Sequence, residues 1–505
     1  MNPEPRQRDD YSPRQIEAAH RVLVDLGQVL AAFEDCLVVV GGYAGLPPGR
    51  ADVLRRALNK YKRDTIEEIR REFVASANSR GRPPEKTGEV WQLVTGFAGY
   101  AFCKAHSTAY GVEAYQAAWL KCYHPAEFMA GVLTNGKGFF AFKLLKQLAK
   151  DQPGENLFIS PFGVSTVLQM AGNGAGGQTK VEMQQVLGTT SLSQTIVNTA
   201  SRDIDQSLNN SNTNNILTIA DAIWYQKGIP AKPDFISCNQ QFFGATVDPL
   251  DFTNSHSIDI INSWASEKTR GKITHIADGI MSPPPKLFLA NAVYFKGKWE
   301  DPFDRGNTKA RIFHLRSGDQ KQVPMMEKSR KFPYRQGTGY QAVRLPYEGW
   351  NLAMYVFLPD PGSSPEKLVA IMTGDKWERV TRPGFEDREG TVVLPKFKQE
   401  YSVKLEKPLK ALGMNAAFDP FGNADFSGIS SRPLYISAVQ QRTFVEVGEE
   451  GTEAAAVTGI ALPVSSGPEP MPPPPFKMIV DRPFLFLIAD EQTGTILFMG
   501  IIFEP

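Results

Sequence analysis

The chain has 505 residues, 42% hydrophobic and 22% charged, with a formal net charge of +1 and a pI near 7.6. That length admits two to four domains or one large domain with an appendage, and the composition supports a sizeable core. A charge so close to zero points to neither nucleic acid nor a membrane surface as a global partner, and the longest apolar runs (Cys36–Val40 and Phe484–Ile488) are far too short to span a bilayer. The first ten residues are polar and show no apolar h-region, so no secretory signal is visible. The four cysteines, at 36, 103, 122 and 238, are spaced for neither a metal knuckle nor a disulfide framework.

Residues 1–42 read as a helix over Pro13–Glu34, with Leu23, Leu26, Leu30 and Phe33 on one face, then a strand over Cys36–Val40 and the pair Gly41-Gly42. This order resembles the start of some nucleotidyltransferase domains, but the acidic metal ligands that should follow the glycines are absent. A bare helix–strand fragment is the alternative. Residues 43–139 change character: Arg50–Leu58 and Ile66–Ala75 read as charged amphipathic helices. The stretch Phe97-Ala-Gly-Tyr-Ala-Phe-Cys-Lys-Ala-His-Ser-Thr-Ala-Tyr110, with Tyr115–Lys121 and Pro125–Met129, resembles a fingers-region segment of the bacterial DNA polymerase III alpha subunit. In that family the residues matching Lys104, His106 and Ser107 lie on the nucleotide side of the site. No palm with paired carboxylates accompanies them, so no polymerase activity is expected.

The segment ending at Phe139 runs into Phe140–Ala149 with no Gly/Ser/Pro linker, which suggests a chimera. Within residues 140–505, helices are expected at Phe140–Lys150, Val164–Asn173, Lys180–Leu187 and Ser257–Thr269. Long buried strands are expected at Leu217–Tyr225 and Leu287–Tyr294, followed by short strands and turns to Pro505. The run Gly172-Asn-Gly-Ala-Gly-Gly177 fits a dinucleotide fingerprint in letters only. It follows a helix, lacks the distal acid and lacks a P-loop lysine, so a tight turn is expected. No nucleophile elbow, H-E-x-x-H or clustered His/Asp/Glu set appears. Neither enzymatic activity, nor a cofactor, nor a metal is expected.

The most informative stretch is Glu449-Glu450-Gly451-Thr452-Glu453-Ala454-Ala455-Ala456-Val457-Thr458, between an apolar β-prone run and the prolines Pro472–Pro475. At strand period, Thr452, Ala454, Ala456 and Thr458 share one face, which carries nothing bulky and no proline. It is an exposed segment built to fit inside a sheet.

This stretch resembles the reactive-centre-loop hinge of the serpins, the serine protease inhibitors, and the likeness runs from about Phe140 to Pro505. It includes Asn156-Leu-Phe-Ile-Ser-Pro161, Asn262-Ser-Trp-Ala-Ser-Glu-Lys-Thr-Arg-Gly-Lys-Ile273, Leu289–Phe303, Leu394-Pro-Lys-Phe397, Ala424-Asp-Phe-Ser-Gly428, Asp481-Arg-Pro-Phe-Leu-Phe486 and Phe498-Met-Gly500. The resemblance implies an α+β fold with three β-sheets, eight to nine helices and an exposed loop, carried here with a mainly helical N-terminal appendage. It implies a monomeric suicide substrate that acylates a serine protease and inserts its cleaved loop into the main sheet. A non-inhibitory member of the family is the alternative, as is a chimera with an inactive N-terminal part.

The resemblance also implies that Glu449 pairs with Lys396, that Trp299 packs beneath the loop's point of entry, and that Ser160, Asn291 and Gln441 belong to a polar cluster under the sheet. In that cluster Gly163 stands where many serpins have serine, and Gln441 where many have histidine. Scissile candidates are Val464, Ser465, Ser466 and, counting back from Asp481, Met471. All are small or aliphatic, which favours elastase- or subtilisin-like proteases over trypsin-like ones. The resemblance implies an extracellular protein, whereas the polar start leaves the cytoplasm open.

Overall fold

The computed structural model describes residues 43–59, 62–96, 125–190, 192–209, 215–278, 283–349, 351–374, 377, 384–452 and 474–505. The helix–strand reading of 1–42 and the polymerase-like motif over Phe97–Lys121 lie outside them. The chain divides into two compact units, Met1–Phe128 and Met129–Pro505.

In the smaller unit, α1 (Pro48–Asn59), α2 (Arg63–Ser79) and α3 (Pro84–Gly96) enclose a modest core. Leu54, Leu58, Ile69, Phe73 and Trp91 supply it, with the Phe73 and Trp91 rings 5.3 Å apart. On its surface Arg50 binds both Glu68 and Glu72.

The larger unit opens within α4 (Pro125–Asp151), one continuous helix through the 139/140 boundary set from sequence. Phe140, Leu144, Leu145 and Leu148 on it enter the main core. Then come β1 (Leu157–Ile159), α5 (Pro161–Gly172), α6 (Gly177–Leu187), α7 (Gln194–Asn209), β2 (Ile216–Gln226), α8 (Pro233–Phe243), β3 (Thr246–Leu250), α9 (His256–Lys268) and β4 (Leu287–Lys298). Local chemistry sets several of these ends. Ser160 caps α5 by accepting from the Gly163 amide with Pro161 at the first helical position, and Gly188 ends α6 in the left-handed region at φ 69°. The Gly172–Gly177 run is the turn between α5 and α6; its Gly176 amide donates to Asp425 O at 2.9 Å.

Next are β5 (Lys309–His314), β6 (Gln320–Gly337), β7 (Tyr340–Pro346), β8 (Leu352–Pro359), α10 (Pro365–Ile371), β9 (Glu386–Pro395), β10 (Phe397–Lys404) and α11 (Glu406–Ala411). The chain closes with β11 (Ile436–Gly448), β12 (Gly451–Thr452), β13 (Phe476–Ile479), β14 (Phe484–Asp490) and β15 (Ile496–Ile502). Among the described residues the strands form a nine-stranded sheet, β1-β15-β14-β8-β7-β6-β9-β13 with β5 on β6, and a six-stranded sheet, β10-β11-β12-β4-β2-β3.

Two of the three sheets expected from sequence are therefore continuous. The 18-residue β6 joins them, pairing with β9 over Met325–Tyr334 and with β7 over Tyr334–Gly337. Strands β8, β14 and β15 are buried throughout and almost wholly apolar, as strands covered on both faces must be. In the six-stranded sheet β4 and β11 run parallel, with Val439–Phe444 opposite Leu289–Tyr294. Alternate residues face opposite cores: Val293, Phe295 and Val445 join the main one, while Ala292, Tyr294 and Phe444 face the cluster beneath α9.

Candidate functional site

The glutamate pair that ends β11 makes a buried turn. Glu449 is 8% exposed and Glu450 3%. Lys396 Nζ lies 2.8 Å from Glu449 Oε2, and Thr308 Oγ1 donates to Glu449 Oε1 at 2.9 Å. Burial alone would raise this carboxyl's pKa; the Lys396 and Thr308 hydrogen bonds and the Lys396 charge outweigh it and hold it below the ordinary glutamate value. Glu450 pairs with Arg305, whose side chain is largely in solvent.

The turn's carbonyls all find donors, whereas Glu450 Oε2 is buried without a hydrogen-bond partner. Phe303 N donates to Glu449 O at 2.7 Å, Trp299 N to Glu450 O at 2.9 Å and Trp299 Nε1 to Gly448 O at 3.0 Å. The Trp299 indole stacks on Tyr347 at 4.7 Å beneath this turn. The family resemblance points in advance to Lys396 and Trp299. It does not point to Arg305, Thr308 and Tyr347, beyond the rule that two buried carboxylates each need a partner.

From this turn Gly451 and Thr452 form β12, antiparallel to both neighbours. Thr452 is opposite Val447 and Gly297, and Gly451 opposite Gly448 and Lys298. Gly451 has φ 143°, and a Cβ there would overlap the Gly297 carbonyl oxygen, so only glycine fits. The hinge thus begins as a two-residue strand in the mouth of the β4–β11 seam. Glu453, Ala454, Ala455, Ala456, Val457 and Thr458, and the scissile candidates Val464, Ser465, Ser466 and Met471, lie outside the described residues.

Below β12 one hydrogen-bonded chain crosses the seam on the face toward α5. Gln441 of β11 grips Ser160 at both main-chain atoms: Ser160 N donates to its Oε1 at 3.0 Å, and its Nε2 donates to Ser160 O at 2.8 Å. The same Nε2 donates to Asn291 Oδ1 at 2.6 Å, and Asn291 Nδ2 donates to Asp221 Oδ1 on β2 at 2.8 Å. Ser160 Oγ donates to Leu497 O at 2.7 Å. All of these side chains are buried, so each lost partner would leave a costly orphan.

The Asn291 amide occupies the space a side chain at 163 would need, since a Cβ on Gly163 would overlap both its terminal atoms. Gly163→Ser is expected to displace the amide from Gln441 and Asp221 and to lower stability by about 1–3 kcal/mol, read by denaturant unfolding. Unchanged stability would mean that Asn291 can turn aside freely.

The loop's far end is held on the other sheet. Phe476 stacks on Tyr334 at 3.8 Å, and Arg388 Nη2 donates to Pro474 O at 3.1 Å. Among the described residues no group of His, Cys, Asp and Glu could hold a metal ion, and no helix is long and apolar enough to cross a membrane.

Comparison with known proteins gives the same frame. A family model described as Serpin (serine protease inhibitor) matches residues 135–505. The chain is 37% identical over 381 residues to Serpin B6 of Pongo abelii, covering 74% of this chain and 100% of that one. It is 35% identical over 383 residues to the leukocyte elastase inhibitor of Sus scrofa, covering 72% and 97%. Among solved structures, the native state of the thermophilic serpin tengpin matches with a TM-score of 0.67 at 29% identity, covering 74% of this chain and 94% of that one.

Proposed function

Since the chain belongs to the serpin family, we propose that it inhibits serine proteases as a suicide substrate. A protease attacks the segment between Thr458 and Met471 and forms an ester with the scissile residue, and the freed hinge enters the six-stranded sheet as a new strand before water releases the enzyme. The observation that carries this reading is β12: its two residues already pair with both β11 and β4, antiparallel to each, at the mouth of a parallel seam. A strand continuing from it replaces one parallel pairing with two antiparallel ones, which are slightly more stable per residue. The protein is not itself a catalyst.

For target class, the small and aliphatic scissile candidates support elastase- or subtilisin-like proteases, as does the likeness to a leukocyte elastase inhibitor. A trypsin-like pocket, with an acid at its base, selects a cation that Val464, Ser465, Ser466 and Met471 do not offer. Residues before 135, which lie outside the family match, are given no part in this mechanism.

The test is to mix the protein with elastase, subtilisin and trypsin and look for a covalent adduct on a denaturing gel, with mass spectrometry of the released peptide. An adduct with elastase or subtilisin and cleavage within 458–471 is expected. Cleavage there by all three enzymes with no adduct would sink the inhibitor reading.

A further inference from the structure

The seam is bridged on its other face as well. Tyr294 of β4 and Phe444 of β11 are register partners, both almost fully buried, with ring centroids 6.0 Å apart. The Lys272 ammonium lies 5.9 Å from the Tyr294 centroid and 5.6 Å from that of Phe444, so one cation spans the two strands. Lys398 also sits over Phe444, at 5.2 Å, but from β10, which pairs with β11 and stays with it. Lys272 is the cation shared across the seam.

The segment that presents Lys272 is fixed against local preference. Arg270, two residues past α9, has φ 55°, a left-handed conformation that no other non-glycine shows among the described residues. Such a conformation persists only where the surroundings impose it. Here Thr269 is fully buried, donating to Ala265 O at 2.7 Å and accepting from the Ile273 amide at 3.0 Å. Asn262 of α9 then accepts from the Ile276 and Ala277 amides, at 2.8 and 3.0 Å. Helix α9 and its trailing segment therefore form one unit over the sheet, with Lys272 aimed at the seam.

We infer that Lys272 is a positioning residue that latches β4 to β11 through the Tyr294 and Phe444 rings and sets how fast the seam opens. The inference rests on the insertion mechanism proposed above. Admitting a strand moves β4 and β11 from neighbours about 4.8 Å apart to about twice that distance, beyond the reach of one ammonium over two rings. The contact exists in the closed sheet and is lost in the open one, so it weights the equilibrium and the barrier toward closed.

The experiment is amide hydrogen exchange on the full-length, uncleaved chain, comparing Lys272→Met, which keeps the stem without the charge, with Lys272→Arg, which keeps a cation. Lys272→Met is expected to speed exchange in residues 289–294 and 439–445 by about 3–10-fold, while Lys272→Arg stays within about twofold of the parent. Exchange in β14 and β15 stays unchanged, and in a Phe444→Leu background Lys272→Met has no further effect. Seam exchange unmoved by Lys272→Met, or speeded equally by Lys272→Arg, would overturn the latch. So would an equal acceleration in β14 and β15, the sign of a general loss of stability. Failure of the parent protein to trap any protease would overturn the inhibitor reading alone, because the exchange measurement needs no protease.

Discussion

Cutting the chain once between Gly459 and Met471 is expected to raise its thermal midpoint by roughly 15–25 °C, measured by scanning calorimetry on intact and nicked protein. The gain follows from continuing the β12 register. Thr452 lies opposite Val447 and Gly297. Carried onward, that register puts Ala454 opposite Val445 and Phe295, Ala456 opposite Thr443 and Val293, and Thr458 opposite Gln441 and Asn291. Opposed residues on neighbouring strands share a face, so the small-residue face of the hinge meets the main core.

Each inserted residue bonds to both neighbours. After subtracting the lost β4–β11 ladder, about a dozen net hydrogen bonds at about 1 kcal/mol each, with the buried methyl groups, amount to on the order of 10–20 kcal/mol. Ordinary domains are stable by roughly 5–15 kcal/mol in total. A midpoint unchanged by cleavage would mean that no such energy is stored in the uncut chain, and nothing would remain to deform a captured enzyme.

Local periodicity placed the elements that flank the seam to within a few residues: α9 was expected at Ser257–Thr269 and is His256–Lys268, and β2 was expected at Leu217–Tyr225 and is Ile216–Gln226. The alternation of Thr452, Ala454 and Ala456 likewise marks a segment fit for a sheet before any fold is known. Pairings between distant residues were legible only through the family likeness. That likeness pointed to Lys396 for Glu449 and placed Gln441 beside Asn291, both of which the structure brings together. The features particular to this chain were not legible at all. That Arg305 meets Glu450, or that Lys272 lies over two rings on separate strands, depends on the approach of segments about 150 residues apart. The continuity of α4 was hidden for a different reason: an abrupt change of sequence character need not interrupt a helix whose residues on both sides favour it.

Replacing Thr452 with Arg is expected to turn the inhibitor into a substrate, raising the number of inhibitor molecules consumed per enzyme trapped at least about tenfold, with little change in the rate of first encounter. Position 452 is opposite Val447, which is 1% exposed and part of the main core. An arginine held there has no carboxylate to meet among its register partners, Val447 and Gly297, and removing an unpaired guanidinium from water costs several kcal/mol. With β12 unable to seat, the hinge would lose the strand from which insertion continues while deacylation went on at its own pace, and the partition would pass to cleaved, released inhibitor. The scissile residue and the loop's C-terminal leg are untouched, so recognition by the protease should survive, which separates this outcome from simple loss of binding. Titration of active enzyme against inhibitor gives the stoichiometry, and the denaturing gel shows whether cleaved chain replaces adduct. A Thr452→Arg chain that still forms adduct in full yield would show that insertion does not begin at β12, and the mechanism would have to be abandoned.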